Sequence, residues 1–482
     1  MLDLELGMKL RWVFAAGALL ASTLSASAVT EQLDEFIDTE LVSSAAPGLA
    51  YARVEDGEVW AQGFGEVEKG SGDRVTADTL FPIGSVTKSF TALAIMQLAE
   101  SGKLGLDDRV SIHIDAFTGG AASEVTLRQL LNHTSGYSTV QGNSQHGAAE
   151  ASQLGLIEYA QQLALIEPAR TPGAGWEYSN ANYQILGAVI EQLSGETYAD
   201  YIKQRIFEPL GMNESVVVVG PVPDTMATGH RPWFGGVRAA SGAEGLRINA
   251  PVGGIASSAK DMGRYLPIWL NCEDDVLSAA GKTAMMTPSG PASPMYGLGW
   301  SIDPTLGTVY HTGLVPGAET LASINPSDGT AAAVMVNANG GLGFADTWYL
   351  IGGAGARALG QAHVDDGSRL GPKVAYLSIA LLPPLFVLLA FVSWRGRQAL
   401  RSKLENLPGK LSLWLPLAAM AGLAWFLVDV LPKLFGGPLA TIQLYQPDFA
   451  WCLIAAAILA PAWAVFRLAI AYSNRKNPAS TG

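Results

Sequence analysis

Three charge-poor stretches close the chain, residues 374–394, 411–428 and 449–466, and each is close to the length a helix needs to cross a bilayer. A backbone in hydrocarbon must satisfy its own N–H and C=O groups, so helix is the expected state, with spans over 374–394, 411–431 and 449–470. The loop after the first stretch carries Arg395, Arg397, Arg401, Lys403 and Lys410, whereas the next carries only Lys433. Positive charge stays on the cytoplasmic side, which places everything before the spans outside and returns the tail, with Arg475 and Lys476, to the cytoplasm. Pro383-Pro384 should kink the first span, and Asp429 is expected at the interface.

The other end of the chain agrees. Lys9 and Arg11 precede an apolar run over residues 12–24, and Ala26-Ser27-Ala28 has signal-peptidase spacing. Residues 1–28 therefore read as a signal peptide, with an uncleaved N-terminal anchor as the alternative. Asp3 and Glu5 sit awkwardly before the basic region, which makes Met8 a candidate start. The division expected is a signal peptide over 1–28, a globular domain over 29–365 on the periplasmic side of the inner (cytoplasmic) membrane, and an anchor over 366–482.

At 482 residues, 49% hydrophobic and 15% charged, the chain can bury a large core as well as fill a membrane. A net charge of −13 and the lack of a basic stretch in the globular region exclude nucleic acid as a partner. The two cysteines, Cys272 in the globular region and Cys452 in a span, form no disulfide framework. His113 and Asp115 alternate like strand neighbours, His230 and His363 are isolated, and no cluster has metal-ligand spacing; neither metal nor cofactor is expected.

Strand signals over 48–54 and 58–64 flank Glu55-Asp56-Gly57, the pattern of a hairpin. A helix starts near Ser85 and stops at Gly102; the region 105–250 mixes helix and loop; after Tyr296-Gly297-Leu298-Gly299-Trp300, strands return over 308–311, 320–324 and 331–337. The economical fold is α/β: an antiparallel sheet from both ends of the domain, flanked by helices, around a largely helical insertion.

Chemistry enters with Ser85-Val86-Thr87-Lys88. One helical turn separates Ser85 from Lys88 on one face, so the amine can reach the hydroxyl. A lysine in a desolvated pocket can lose enough basicity to take a serine proton. The free N–H groups of the helix start also favour an oxyanion. Chance supplies S-x-x-K patterns, and Ser257–Lys260 is a second copy; there Ser258 and Asp261 form an S-x-x-D cap, the plainer explanation. Ser85 could likewise be a helix cap.

Further segments follow in order: Leu130-Leu131-Asn132-His133-Thr134-Ser135-Gly136, Pro172-Gly173, Tyr178-Ser179-Asn180-Ala181-Asn182-Tyr183, Pro209-Leu210-Gly211-Met212, Gly253-Gly254-Ile255-Ala256-Ser257-Ser258 and His311-Thr312-Gly313. With Phe81-Pro82-Ile83-Gly84-Ser85, this series resembles the serine beta-lactamase and penicillin-binding-protein superfamily over residues 31–360. Within it, the likeness is to the branch holding class C beta-lactamases, D-alanyl-D-alanine carboxypeptidases, D-aminopeptidases and related esterases.

The resemblance implies a beta-lactamase-like fold and an acyl-enzyme. Ser85 would be the nucleophile, Lys88 its proton acceptor and Tyr178 the proton shuttle to the leaving group. Asn180, His311, Thr312 and Gly313 would bind substrate, and the backbone N–H groups of Ser85 and Leu314 would form the oxyanion hole. His133 would be structural. His311 stands where most beta-lactamases carry lysine; as a weaker, pH-dependent cation it favours a peptidase acting on D-amino acid-containing peptides, or an esterase, over beta-lactam hydrolysis.

The three-span anchor is similar to that of membrane-bound peptidases that remove an N-acyl-D-asparagine prodrug group from exported natural products, the group of the colibactin-maturing peptidase. Prodrug maturation is thus one alternative, and a non-catalytic, penicillin-binding-like peptide-binding protein another. Expected partners are a small-molecule or peptide substrate and the membrane.

Overall fold

The computed structural model describes residues 26–146, 153–240, 244–362 and 369–473. The expected leader before Ala26, His363 and the basic tail residues Arg475 and Lys476 lie outside the described residues. The chain divides into two units, with the break between Ser368 and Arg369.

The first unit opens with helix α1 (Ala26–Ser43), followed by β1 (Gly48–Glu55) and β2 (Glu58–Gly65). Asp56 at φ 51° and Gly57 at φ 80° make the tight turn between these strands, the left-handed pair that a two-residue hairpin requires. A 3-10 turn, Gly84–Val86, leads into α2 (Thr87–Glu100), and α3 (Asn180–Ser194) follows within the helical insertion. The chain then returns to the sheet as β3 (Ser301–Asp303), β4 (Thr308–Val315), β5 (Ala318–Asn325) and β6 (Thr330–Val336), and α4 (Thr347–Ala358) ends the unit.

These strands form one antiparallel sheet in the order β3-β4-β5-β6-β1-β2, so strands from the two ends of the unit meet where β1 pairs with β6. Central strands must serve two cores, and their alternation shows how. Ala50, Ala52 and Val54 of β1, with Ala331, Ala333 and Met335 of β6, face the insertion. Leu49 and Tyr51, with Val334 and Val336, face α1 and α4 through Leu33, Ile37, Leu350 and Ala354. Helix α2 is buried on almost every side, from Thr87 to Met96, which explains its weak amphipathicity in sequence.

The expected architecture is therefore present, an α/β unit whose antiparallel sheet joins strands from its two ends around a helical insertion. Two local readings change. Strand β4 runs past His311 to Val315, because its ladder with β5 continues to Ala318; His311-Thr312-Gly313 thus lies inside a strand. The short edge strand β3, paired to β4 through only Ser301–Asp303, gave no signal of its own.

In the second unit three helices have the length and composition of membrane spans: Leu370–Arg395, Leu407–Leu434 and Pro447–Tyr472. The first breaks at Leu381, just before Pro383-Pro384, as the missing proline N–H groups and ring clashes dictate. Ala456, Ala460 and Ala464 are fully buried at four-residue spacing along the third helix, small enough to let its neighbours approach closely. Asp429 pairs with Lys433 one turn on at 2.7 Å, which satisfies its charge within its own helix.

Candidate active site

Ser85 sits in the 3-10 turn rather than in α2 itself. The residue capping α2 is Val86, with no side-chain cap bond, so the hydroxyl of Ser85 is not used as a cap. Lys88 Nζ lies 3.0 Å from Ser85 Oγ and donates to the carbonyl of Val252 at 2.9 Å. The lysine is fully buried while Ser85 is half-buried, open enough to meet a ligand. Burial holds the Lys88 amine well below its ordinary value of 10.5.

Two glycines bring the serine turn against β4. Gly84 has φ 51°, and a Cβ there would stand 2.7 Å from the Leu314 nitrogen and 3.0 Å from Gly313 Cα; a Cβ on Gly313 would run into the Ile83 carbonyl. The Leu314 backbone is therefore drawn to the residue preceding Ser85. The Leu314 side chain is 46% exposed, so the position is held through its main chain.

Tyr178 precedes α3 and reaches the same place: Lys88 Nζ is 5.0 Å from its ring centroid, and the His311 ring is 6.2 Å away. Asn180 begins α3 half-buried; its Nδ2 donates to Asn143 Oδ1 at 2.8 Å, while its Oδ1 is buried with no hydrogen-bond partner among the described residues. Thr312 and Gly313 follow His311 on β4, Thr312 half-buried and Gly313 buried.

His311 is not the weak cation read from the sequence. Its Nδ1 lies 2.7 Å from the Thr312 carbonyl, which can only accept, so Nδ1 carries the proton; Nε2 then accepts from the Tyr296 hydroxyl at 3.0 Å. Burial, with Lys88 nearby, lowers its pKa to about 3, and the imidazole is neutral at ordinary pH. Sequence reasoning gave Tyr296 no role. The aromatic residue opening Tyr296-Gly297-Leu298-Gly299-Trp300 was the available signal.

The second S-x-x-K copy comes apart. Ser257 Oγ is buried against Ser215 Oγ at 2.8 Å, whereas Lys260 reaches out to Asp78 at 2.9 Å. Ser258 caps its helix by accepting the Asp261 N–H, as expected. The box is not reciprocal, since the Asp261 carboxylate instead accepts from the backbone N–H groups of Glu214 and Ser215. His230 is occupied too, its Nδ1 3.0 Å from the Asn337 carbonyl.

A family model described as Beta-lactamase matches residues 29–356, and the chain belongs to that family. Protein flp of Staphylococcus aureus (strain NCTC 8325 / PS 47) is 27% identical over 317 residues, covering 64% of this chain and 63% of that protein. Beta-lactamase-like protein 2 of Dictyostelium discoideum is 29% identical over 269 residues, 54% of this chain and 48% of its own. The chain thus spans less than two thirds of the length of these curated relatives.

Among solved structures, the octameric penicillin-binding protein homologue from Pyrococcus abyssi superposes with a TM-score of 0.60 at 28% identity, over 73% of this chain and 81% of that one. EstCE1, described as a hydrolase with promiscuous acyltransferase activity, has a TM-score of 0.58 over 69% of this chain and 96% of its own; at 21% identity it speaks for the fold alone.

Proposed function

We propose that this protein is a membrane-anchored serine hydrolase that cleaves an ester or amide through an acyl-enzyme on Ser85. The observation that carries the proposal is the buried, weakened amine of Lys88 at 3.0 Å from Ser85 Oγ. In its neutral form Nζ keeps one N–H on Val252 and offers its lone pair to the serine proton. Oγ then attacks the substrate carbonyl, whose oxygen takes its charge to the backbone N–H groups of Ser85 and Leu314. Tyr178 passes the proton to the leaving group and later draws one from the incoming water. Asn180 has its amide nitrogen occupied by Asn143, so its free Oδ1 is the end suited to accept a substrate N–H.

A neutral His311 offers no charge to a substrate carboxylate. This supports an esterase, or a peptidase that recognises D-amino acid-containing substrates without a carboxylate at this box, over a beta-lactamase. The three long apolar C-terminal helices support integral anchoring, and the loop charges support a periplasmic site. They also favour, as a second reading, removal of an N-acyl-D-amino acid group from an exported product.

A fluorophosphonate probe tests the chemistry: labelling of the wild type but not of Ser85→Ala is expected. No labelling between pH 5 and 10 would leave the peptide-binding reading in its place. Hydrolysis of D-amino acid amides, D-Ala-D-Ala peptides, N-acyl-D-asparagine conjugates, short-chain esters and a chromogenic cephalosporin then sorts the substrate classes. Protease added to intact spheroplasts should digest the globular domain, and full protection would overturn the orientation.

A further inference from the structure

The residues on either side of Tyr178 both bond to His133, while Thr139 Oγ1 donates to the Tyr178 carbonyl at 2.6 Å and Ser179 Oγ to the Ser138 carbonyl at 2.9 Å. The backbone N–H of Glu177 donates to the His133 carbonyl at 2.9 Å, and the backbone N–H of Ser179 donates to His133 Nδ1 at 3.2 Å. Asn182 Nδ2 donates to the same Nδ1 at 2.9 Å, and its orientation is set because Asn182 Oδ1 accepts from Ser135 Oγ at 2.6 Å. The His133 ring lies under Tyr178, with centroids 4.4 Å apart.

Two donors on Nδ1 settle the tautomer: Nδ1 keeps its lone pair and Nε2 carries the hydrogen. A charged ring would set an N–H against those donors, and burial, with Lys88 and His311 nearby, holds the ring in its neutral form. Among the described residues Nε2 is buried with no hydrogen-bond partner, so the ring's hydrogen bonds are those of Nδ1, one to the Tyr178 loop at Ser179 and one to Asn182 on α3. His133 also adopts φ 60°, the left-handed region that a non-glycine residue occupies only when its surroundings hold it there.

We propose that His133 is a positioning residue for Tyr178: through its carbonyl and Nδ1 it clamps Glu177 and Ser179, and so holds the phenol beside Lys88 without touching substrate. The proposal rests on Tyr178 being the proton carrier of the reaction. Its effect belongs in kcat, because a displaced phenol slows proton transfer while the binding residues on β4 stay in place.

The test compares substitutions that all remove the ring. Asparagine and glycine both tolerate a positive φ, but only asparagine keeps an acceptor near the place of Nδ1; glutamine keeps an amide near the place of Nε2 and gives up that acceptor. With p-nitrophenyl butyrate as substrate, His133→Asn should stay within about 5-fold of wild-type kcat. His133→Gly and His133→Gln should lose about 100-fold in kcat with little change in KM, with melting temperature read alongside to identify any variant that does not fold.

Tyr178→Phe is the control, and adding His133→Gly to it should cost less than about 3-fold more. Activity retained by Tyr178→Phe would overturn the role of Tyr178 and the proposal with it. A strong loss in Tyr178→Phe, combined with a folded His133→Gly or His133→Gln variant as active as His133→Asn, would overturn the proposal alone.

Discussion

Tyr296 Oη lies 3.0 Å from His311 Nε2 while His311 Nδ1 holds the Thr312 carbonyl at 2.7 Å, so both imidazole nitrogens are committed to the protein. With its pKa lowered to about 3, His311 is neutral above that value. The pH–rate profile should therefore show no limb from His311 between pH 5 and 8, and His311→Asn should leave the shape of the profile unchanged in that range. Tyr296→Phe should cost about 1–3 kcal/mol of stability in urea denaturation, since it leaves a buried acceptor unmet.

Lys88→Met should remove at least about 1,000-fold of the hydrolytic rate, because the amine at 3.0 Å from Ser85 Oγ is the base proposed to take its proton. Its stability should move the other way. A buried amine with a lowered folded-state pKa leaves the unfolded chain binding more protons from that value up to 10.5, so wild-type stability rises with pH across this window. The advantage of Lys88→Met in melting temperature should be largest at acid pH and shrink as the pH approaches 10.5. An advantage that grows with pH would contradict the burial of this charge.

Lys260→Ala should leave activity within about 2-fold of wild type, because its partner is exposed Asp78 and not Ser257. Ser257→Ala should behave as a core substitution, losing about 1 kcal/mol with the Ser215 hydrogen bond. Steady-state kinetics beside urea denaturation separates the two effects. Loss of turnover in Lys260→Ala would reopen the second S-x-x-K copy.

Gly84→Ala should be far more damaging than its size suggests. The new methyl group meets the Leu314 nitrogen at 2.7 Å from a left-handed backbone, so the serine turn and β4 must separate. The expected loss is about 100-fold in kcat, with fluorophosphonate labelling of Ser85 slowed in parallel. Normal labelling and turnover would show that the approach of Leu314 to this turn has no part in the chemistry.

Several features were legible because they depend on neighbours in the chain. Three long apolar runs need no tertiary partner to be helical in lipid, and Asp56-Gly57 supplies its own left-handed turn. The three-residue spacing of Ser85 and Lys88 lets one helical turn bring them together. Strand signals near both sequence ends of the domain likewise point to a sheet joined from the two ends.

Burial and long-range contact decided the rest, since neither is written in local spacing. Two S-x-x-K copies are equivalent as strings; only packing puts Lys88 in a dry pocket beneath Val252 and sends Lys260 to the surface. A histidine in the third box reads as a weak cation until Tyr296 and the Thr312 carbonyl, with desolvation, make it neutral. His133 and Tyr178 are far apart in sequence, and the clamp between them exists because the fold closes one loop over the other, where the low dielectric makes each unmet polar group costly.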